Sequence, residues 1–209
     1  MLVYSRSRQE FNNDILSNKI EEKILKSFQT QTGRTTSPNE IRSWRNSLQY
    51  MNNVLLDADV PYDAGVSIEY KIPQSSKRID FILTGKDKSK RDTAVIVELK
   101  QWERANLTTK DGVVSTYVAG GEREVEHPSY QAWTYAALLE DFNETIRNEG
   151  IQLQPCAFLH NCESDDVINN KFYGEYTEKA PSFLKNDAQD LARFIKQFVK
   201  YGEIGRAHV

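Results

Sequence analysis

Four charged side chains in the middle of the chain have the types and spacing for phosphoryl chemistry: Glu69, Asp80, Glu98 and Lys100. Side chains two apart on a strand share a face, so Glu98 and Lys100 extend a face begun by Ala94 and Ile96. A hairpin turn centred near residue 89 would set Asp80 across from Glu98. A turn between residues 74 and 75 would set Glu69 across from Asp80, and a slip of one residue would undo either pairing. Carboxylates opposite one another repel, so either Lys100 or a divalent cation must neutralise them. Hard oxygen ligands at this density suit Mg²⁺ or Mn²⁺, which keep several waters and bind through one or two carboxylates. Such an ion lowers the pKa of a bound water and stabilises charge on a phosphate being displaced. A lysine beside it can orient or deprotonate that water, or stabilise the developing charge.

The elements that must position these residues can be read from periodicity. Residues 10–31 place Phe11, Ile15, Ile20, Ile24 and Phe28 at roughly helical intervals, and Gly33 closes that helix. Ser37, Pro38 and Glu40 read as a capping box opening a second helix, with Ile41, Trp44, Leu48, Met51 and Leu55 as its stripe. Strands are expected at 66–71, with Val66, Ile68 and Tyr70 on one face, at 78–83 and at 94–101, with a turn at 73–76. The segment 103–127 holds a hairpin turning at Gly120-Gly121. A helix from Pro128 to about Asn148, a strand at 152–160 and a helix over 182–201 complete the order α-α-β-β-β-(ββ)-α-β-α. The expected class is α/β, a mixed sheet flanked by helices, with N-terminal helices (1–60) packed on a core of 61–202 as a single compact domain. Residues 203–209 read as an appended tail.

The residues resemble a known family. Arg78-Ile79-Asp80 followed by Glu98-Leu99-Lys100 is similar to the signature of the PD-(D/E)xK nuclease superfamily, an acidic residue and then E-x-K on the next strand. Ile79 stands where the family's proline is expected. Gln131 and Tyr135 share a helix face and match the Q-x-x-x-Y motif of the RecB-like branch, which positions DNA and the active site. Across most of the chain, SPNEIRSWRNSL, EYKIP, RIDFILTG, VIVELKQW and HPSYQAWTY look like the nuclease domain that precedes Schlafen-group-3-like helicases in bacterial proteins. The resemblance implies a restriction-endonuclease-like core. It implies metal binding by Asp80, Glu98 and the Leu99 backbone carbonyl, water positioning by Lys100, and Gln131 and Tyr135 organising the lysine or its strand. It also implies a C-terminal helicase or ATPase domain as partner and, in some such proteins, a role in phage defence. This chain carries no G-x-x-x-x-G-K-[ST] phosphate loop of its own.

Other residues admit plainer readings. Glu69 joins the metal site or is an exposed strand residue. Glu40 is accounted for by the cap, although related folds place a helical glutamate near the metal. Lys77, Arg78, Arg104 and Lys110 could contact phosphates. Cys156, His160 and Cys162 lack the second ligand pair of a zinc site, and His127 reads as a loop end. No apolar run is long enough to span a bilayer, no secretory h-region opens the chain, and two cysteines make no disulfide framework. A cytoplasmic setting is therefore expected. Lys plus Arg number 27 against 30 Asp plus Glu, a formal charge of −3, which lacks the usual basic footprint of a nucleic-acid binder. Acidic residues gathered in a metal site change that balance, because the bound cation reverses the local sign. The reading is a Mg²⁺- or Mn²⁺-dependent nuclease acting on DNA, or on RNA. The alternative is a non-catalytic nuclease-like module that docks nucleic acid or a helicase.

Overall fold

In the computed structural model, which describes residues 2–72, 75–118, 120–164 and 166–202, the chain begins with a strand that periodicity did not suggest, β1 (Leu2–Ser7). Ser7 then caps α1 (Arg8–Leu16) in a full capping box with Glu10. The single helix expected over 10–31 is two helices. Asn18 takes a left-handed φ of 53°, and α2 (Ile20–Thr32) restarts beyond it and ends at Gly33. The five-residue step from Ile15 to Ile20 breaks a 3.6-residue stripe, which is the physical reason for the split. The third helix, α3 (Pro38–Asp57), starts at Ser37, whose hydroxyl accepts from the Glu40 amide.

The chain then runs through β2 (Gly65–Lys71), β3 (Arg78–Lys86) and β4 (Asp92–Lys100). A separate three-stranded ribbon follows: β5 (Asn106–Leu107), β6 (Val113–Val118) and β7 (Gly121–Glu126), the last two forming the expected hairpin. The helix expected from Pro128 to Asn148 is also divided, into α4 (Pro128–Phe142) and α5 (Glu144–Glu149). Asn143 makes the junction: its amide closes α4, and its side-chain oxygen accepts from the Thr145 and Ile146 amides to open α5. After β8 (Gln152–Leu159) come α6 (Gly174–Lys179), β9 (Ser182–Leu184) and α7 (Ala188–Phe198). The helix expected over 182–201 thus begins only at Ala188, because Ser182–Leu184 pairs with β8.

The main sheet has the order β1-β2-β3-β4-β8-β9. Pairings are antiparallel up to β4 and parallel from β4 to β9, so the sheet is mixed. One apolar layer packs strand residues such as Val66, Phe81 and Val97 against α1, α2, α3 and α7. The other packs Ile82, Ala94 and Ile96 against Tyr135, Ala136 and Leu139 of α4 and Ile146 of α5. β4 is central and apolar on both faces, as a strand covered on both sides must be. The N-terminal region supplies an edge strand as well as helices, so it is part of the sheet. At the end of the sheet where β3 finishes, the chain's last described residues form a latch. The Lys200 amide donates to the Lys86 carbonyl, and the Lys86 amide donates to that of Tyr201. Gly85 is required there, since a Cβ would lie 2.7 Å from the Tyr201 carbonyl oxygen. Residues 203–209, and Pro73-Gln74 of the expected turn, lie outside the described residues. Among the described residues no helix is long and apolar enough to cross a membrane.

Phe81 ties the sheet to α1: it is fully buried and meets the Phe11 ring edge-on, with centroids 5.7 Å apart. Replacing a buried Phe by Ala costs about 3–5 kcal/mol. Phe81→Ala is therefore expected to lower Tm by roughly 10 °C in a chain of this size, as read by thermal melting.

Candidate active site

The register expected from the turns is present. Ile68 faces Phe81 and Tyr70 faces Ile79, which brackets Glu69 with Asp80. Phe81 faces Val97, and one step further along the same register lie Asp80 and Glu98. The alternation of faces, however, breaks at this end of the sheet. Val66 and Ile68 pack in the α3 layer, whereas Tyr70 packs in the α4 layer. The residue between them, Glu69, has a φ of 55°, a left-handed backbone that strains a side chain larger than glycine. Val66, Ile68 and Tyr70 therefore do not share one face, and the charged residues collect where both helical layers reach the sheet's end.

There they line a cleft of about 370 Å³. Asp80, Glu98, Lys100, Gln131 and Tyr135 all border it, as do Glu40, Glu69, Lys77 and Arg78. Asp80 accepts from the Leu99 amide at 2.9 Å, so its carboxylate is tied to the backbone between Glu98 and Lys100. The Lys100 ammonium donates to Glu98 Oε1 at 2.6 Å, and Glu98 is only 2% exposed. Lys100 is thus the neutralising group in this structure, but it serves one oxygen. Glu98 Oε2 is buried and takes no bond from the lysine, and the Asp80 carboxylate stands close enough that the two acids share a hydrogen bond when Glu98 holds a proton. From α4, Gln131 donates its amide to the Tyr135 hydroxyl at 2.6 Å, confirming that the two share a face.

Electrostatics follow from this crowding. Burial, and then the Asp80 charge, push Glu98 up to about 8 against the pull of Lys100. Burial and Asp80 likewise raise Glu69 to about 7, although Arg78 and the Trp44 hydrogen bond oppose this. Asp80 is raised by burial despite Lys100 and the Leu99 amide. Burial alone would depress Lys100, but Glu98 and Asp80 outweigh it and hold the ammonium above the usual lysine value. Glu98 and Glu69 thus titrate near neutrality while Lys100 stays charged.

Glu69 and Glu40 are placed beside the pair rather than in it. Glu69 accepts from the Trp44 indole at 2.7 Å and pairs with Arg78 at 2.8 Å. Glu40 does not return a bond to Ser37, so the capping box is only half made. Its carboxylate goes to Thr36 and, at 3.0 Å, to Arg78. Lys77 pairs with Glu126 of the ribbon. Arg104 and Lys110 lie outside the cleft: Arg104 borders a second cavity, and Lys110 pairs with Glu124. Among the described residues no group of three or more His, Cys, Asp or Glu side chains is arranged to hold a metal ion. Asp80 and Glu98 remain as a pair of hard oxygen donors, and their mutual repulsion, only partly met by Lys100, is the feature that fits a cation.

Several contributors carried no signal in the sequence. Gln101 donates to the Ser43 carbonyl, the Ser43 hydroxyl and the Ser47 hydroxyl at 2.8–3.0 Å, pinning the end of β4 to α3. Ser47 also bonds His160, which is stacked on Tyr50. Trp44 was expected only as part of an apolar stripe. Cys156 and Cys162 are both buried and sit in different apolar clusters. His127 is fully buried, its pKa lowered to about 4 by burial, and it caps α4 by accepting from the Ser129 amide. No protein-family model, curated protein or solved structure matches the chain.

The pKa shifts set a pH dependence. In the unfolded chain a glutamate titrates near 4.3, so below that pH both states hold the proton and the penalty is absent. Between there and pH 8 the native Glu98 still holds a proton that the unfolded chain has released, so this group's contribution falls as pH rises. Glu98→Gln is expected to flatten the decline in Tm between pH 5 and 8, measured in a chelator. An equally steep decline in the variant would show that Glu98 does not carry it.

Proposed function

We propose that the chain is a metal-dependent nuclease of the PD-(D/E)xK type, with a restriction-endonuclease-like core, that hydrolyses phosphodiester bonds of DNA or RNA in the cytoplasm. The observation that carries this reading is the joining of Asp80, Glu98 and Lys100 at the end of two central strands, two adjoining carboxylates served by a single lysine. Asp80, Glu98 and the Leu99 carbonyl would hold Mg²⁺ or Mn²⁺. A bound ion of this kind supplies Lewis acidity and a water of lowered pKa.

The chain's own groups do the rest. Lys100 keeps its proton and brings a positive charge to the cleft, where it orients the attacking water and stabilises charge developing on the phosphate. Tyr135, held by Gln131, lines the α4 side of the cleft opposite the carboxylates. Lys77 and Arg78 offer charge toward the phosphate backbone. A helicase or ATPase domain would supply further grip, as in the proteins that the sequence resembles.

A second reading is favoured by one observation: Lys100 and Arg78 already pair with the cleft's carboxylates. That internal balance suits a nuclease-like module that binds nucleic acid or a helicase without cutting. Incubation with plasmid, linear DNA and RNA in Mg²⁺ or Mn²⁺ separates the two. Cleavage that a chelator abolishes is expected, and Lys100→Ala is expected to slow it by about 10²–10³-fold with an unchanged circular dichroism spectrum. Full activity in Lys100→Ala would remove the mechanism, and binding without cleavage in any metal would favour the second reading.

A further inference from the structure

A second cavity, of about 640 Å³, is lined by Gln101, Trp102, Glu103, Arg104, Thr116 and Tyr117, a size within the range of small-ligand sites. It adjoins the first cleft through consecutive residues. The Lys100 ammonium lies 5.4 Å from the centre of the Trp102 ring, and Gln101 is anchored to α3 beside the cleft. Trp102 thus stands just beyond the lysine, and Tyr117 lines the same cavity. Tyr117, on β6 of the ribbon, is 61% exposed, so its ring is open to a ligand entering the cavity. The wall is built rather than loose. Thr116, almost fully buried, donates its hydroxyl to the Arg104 carbonyl at 2.7 Å and so holds the loop against the ribbon.

Arg104 differs from the cations around it. Lys77, Arg78, Lys100 and Lys110 are all paired with carboxylates, but the Arg104 side chain makes no hydrogen bond or ion pair among the described residues and is exposed. The site therefore offers two aromatic rings and an uncommitted guanidinium, with Glu103 as its one carboxylate. Rings can stack only on bases that are out of a duplex, and each stacked base is worth about 1–3 kcal/mol whatever its identity. A chain with a formal charge of −3 gains little from general attraction to phosphates, so stacking is the source of affinity open to it.

We propose that this cavity is a subsite for unpaired nucleotides of a single-stranded nucleic acid, with Tyr117 and Trp102 stacking bases and Arg104 holding a phosphate, adjacent to the cleft where cleavage is proposed. The inference rests on the nucleic-acid reading above and specifies its substrate as single-stranded.

Fluorescence anisotropy with a short labelled oligothymidylate and a duplex of equal length, in EDTA to prevent cleavage, tests it. Tighter binding of the single strand is expected. Tyr117→Ala is expected to weaken it roughly tenfold while Tyr117→Phe retains it, and Arg104→Ala is expected to lower the salt slope by about 0.7. Trp102 is left intact because it packs on two apolar clusters. Wild-type affinity in both Tyr117→Ala and Arg104→Ala, or preference for duplex, overturns the subsite alone if cleavage still depends on Lys100. Absence of binding to any nucleic acid, together with absence of cleavage, overturns the subsite and the nuclease reading together.

Discussion

The register of β2, β3 and β4 brings acidic side chains together at one end of the sheet, and much of the surrounding structure answers the repulsion this creates. Lys100 takes one oxygen of Glu98, the Leu99 amide takes Asp80, and Trp44 and Arg78 divide Glu69 between them. Protonation supplies the remainder, which is why the carboxylates titrate so far above their ordinary range. A left-handed backbone at Glu69 adds strain of about 1–3 kcal/mol. A fold that tolerates these costs in one place keeps them there for chemistry more often than for stability.

The register was legible in the sequence because two short turns fix it and an apolar pattern on both sides forbids slippage. The pairing of Gln131 with Tyr135 was legible for a similar reason, four residues being one helical turn. What escaped was whatever depended on partners distant in sequence. Nothing in Leu2–Ser7 announces an edge strand, because edge pairing is decided by β2 becoming available. Ser182–Leu184 continues the apolar pattern of α7 and differs only in having β8 beside it. The breaks at Asn18 and Asn143 are local, and the second is visible in hindsight as an asparagine placed to cap. Glu40 shows the reverse error: its spacing from Ser37 satisfied a local motif, yet its carboxylate went to Arg78 thirty-eight residues away.

Charge is distributed so that global and local readings diverge. The chain is mildly acidic, yet the cleft holds Lys77, Arg78 and Lys100 among its carboxylates. All three cations are occupied by internal acids, so a polyanion would have to compete for them. That competition makes affinity depend on whether the acids are protonated or metal-bound, and it places unusual weight on contacts that need no charge.

The latch at Gly85, Lys86 and Tyr201 has a consequence for handling the molecule. Asp80, near the start of β3, and Lys86, at its end, stand about 20 Å apart at the usual rise per residue, and the described chain departs from the Lys86 end. A fluorophore, affinity handle or surface tether joined just after Gly202 would therefore sit on the side of the sheet away from the cleft. Immobilising the protein by that end leaves the opening facing the solution.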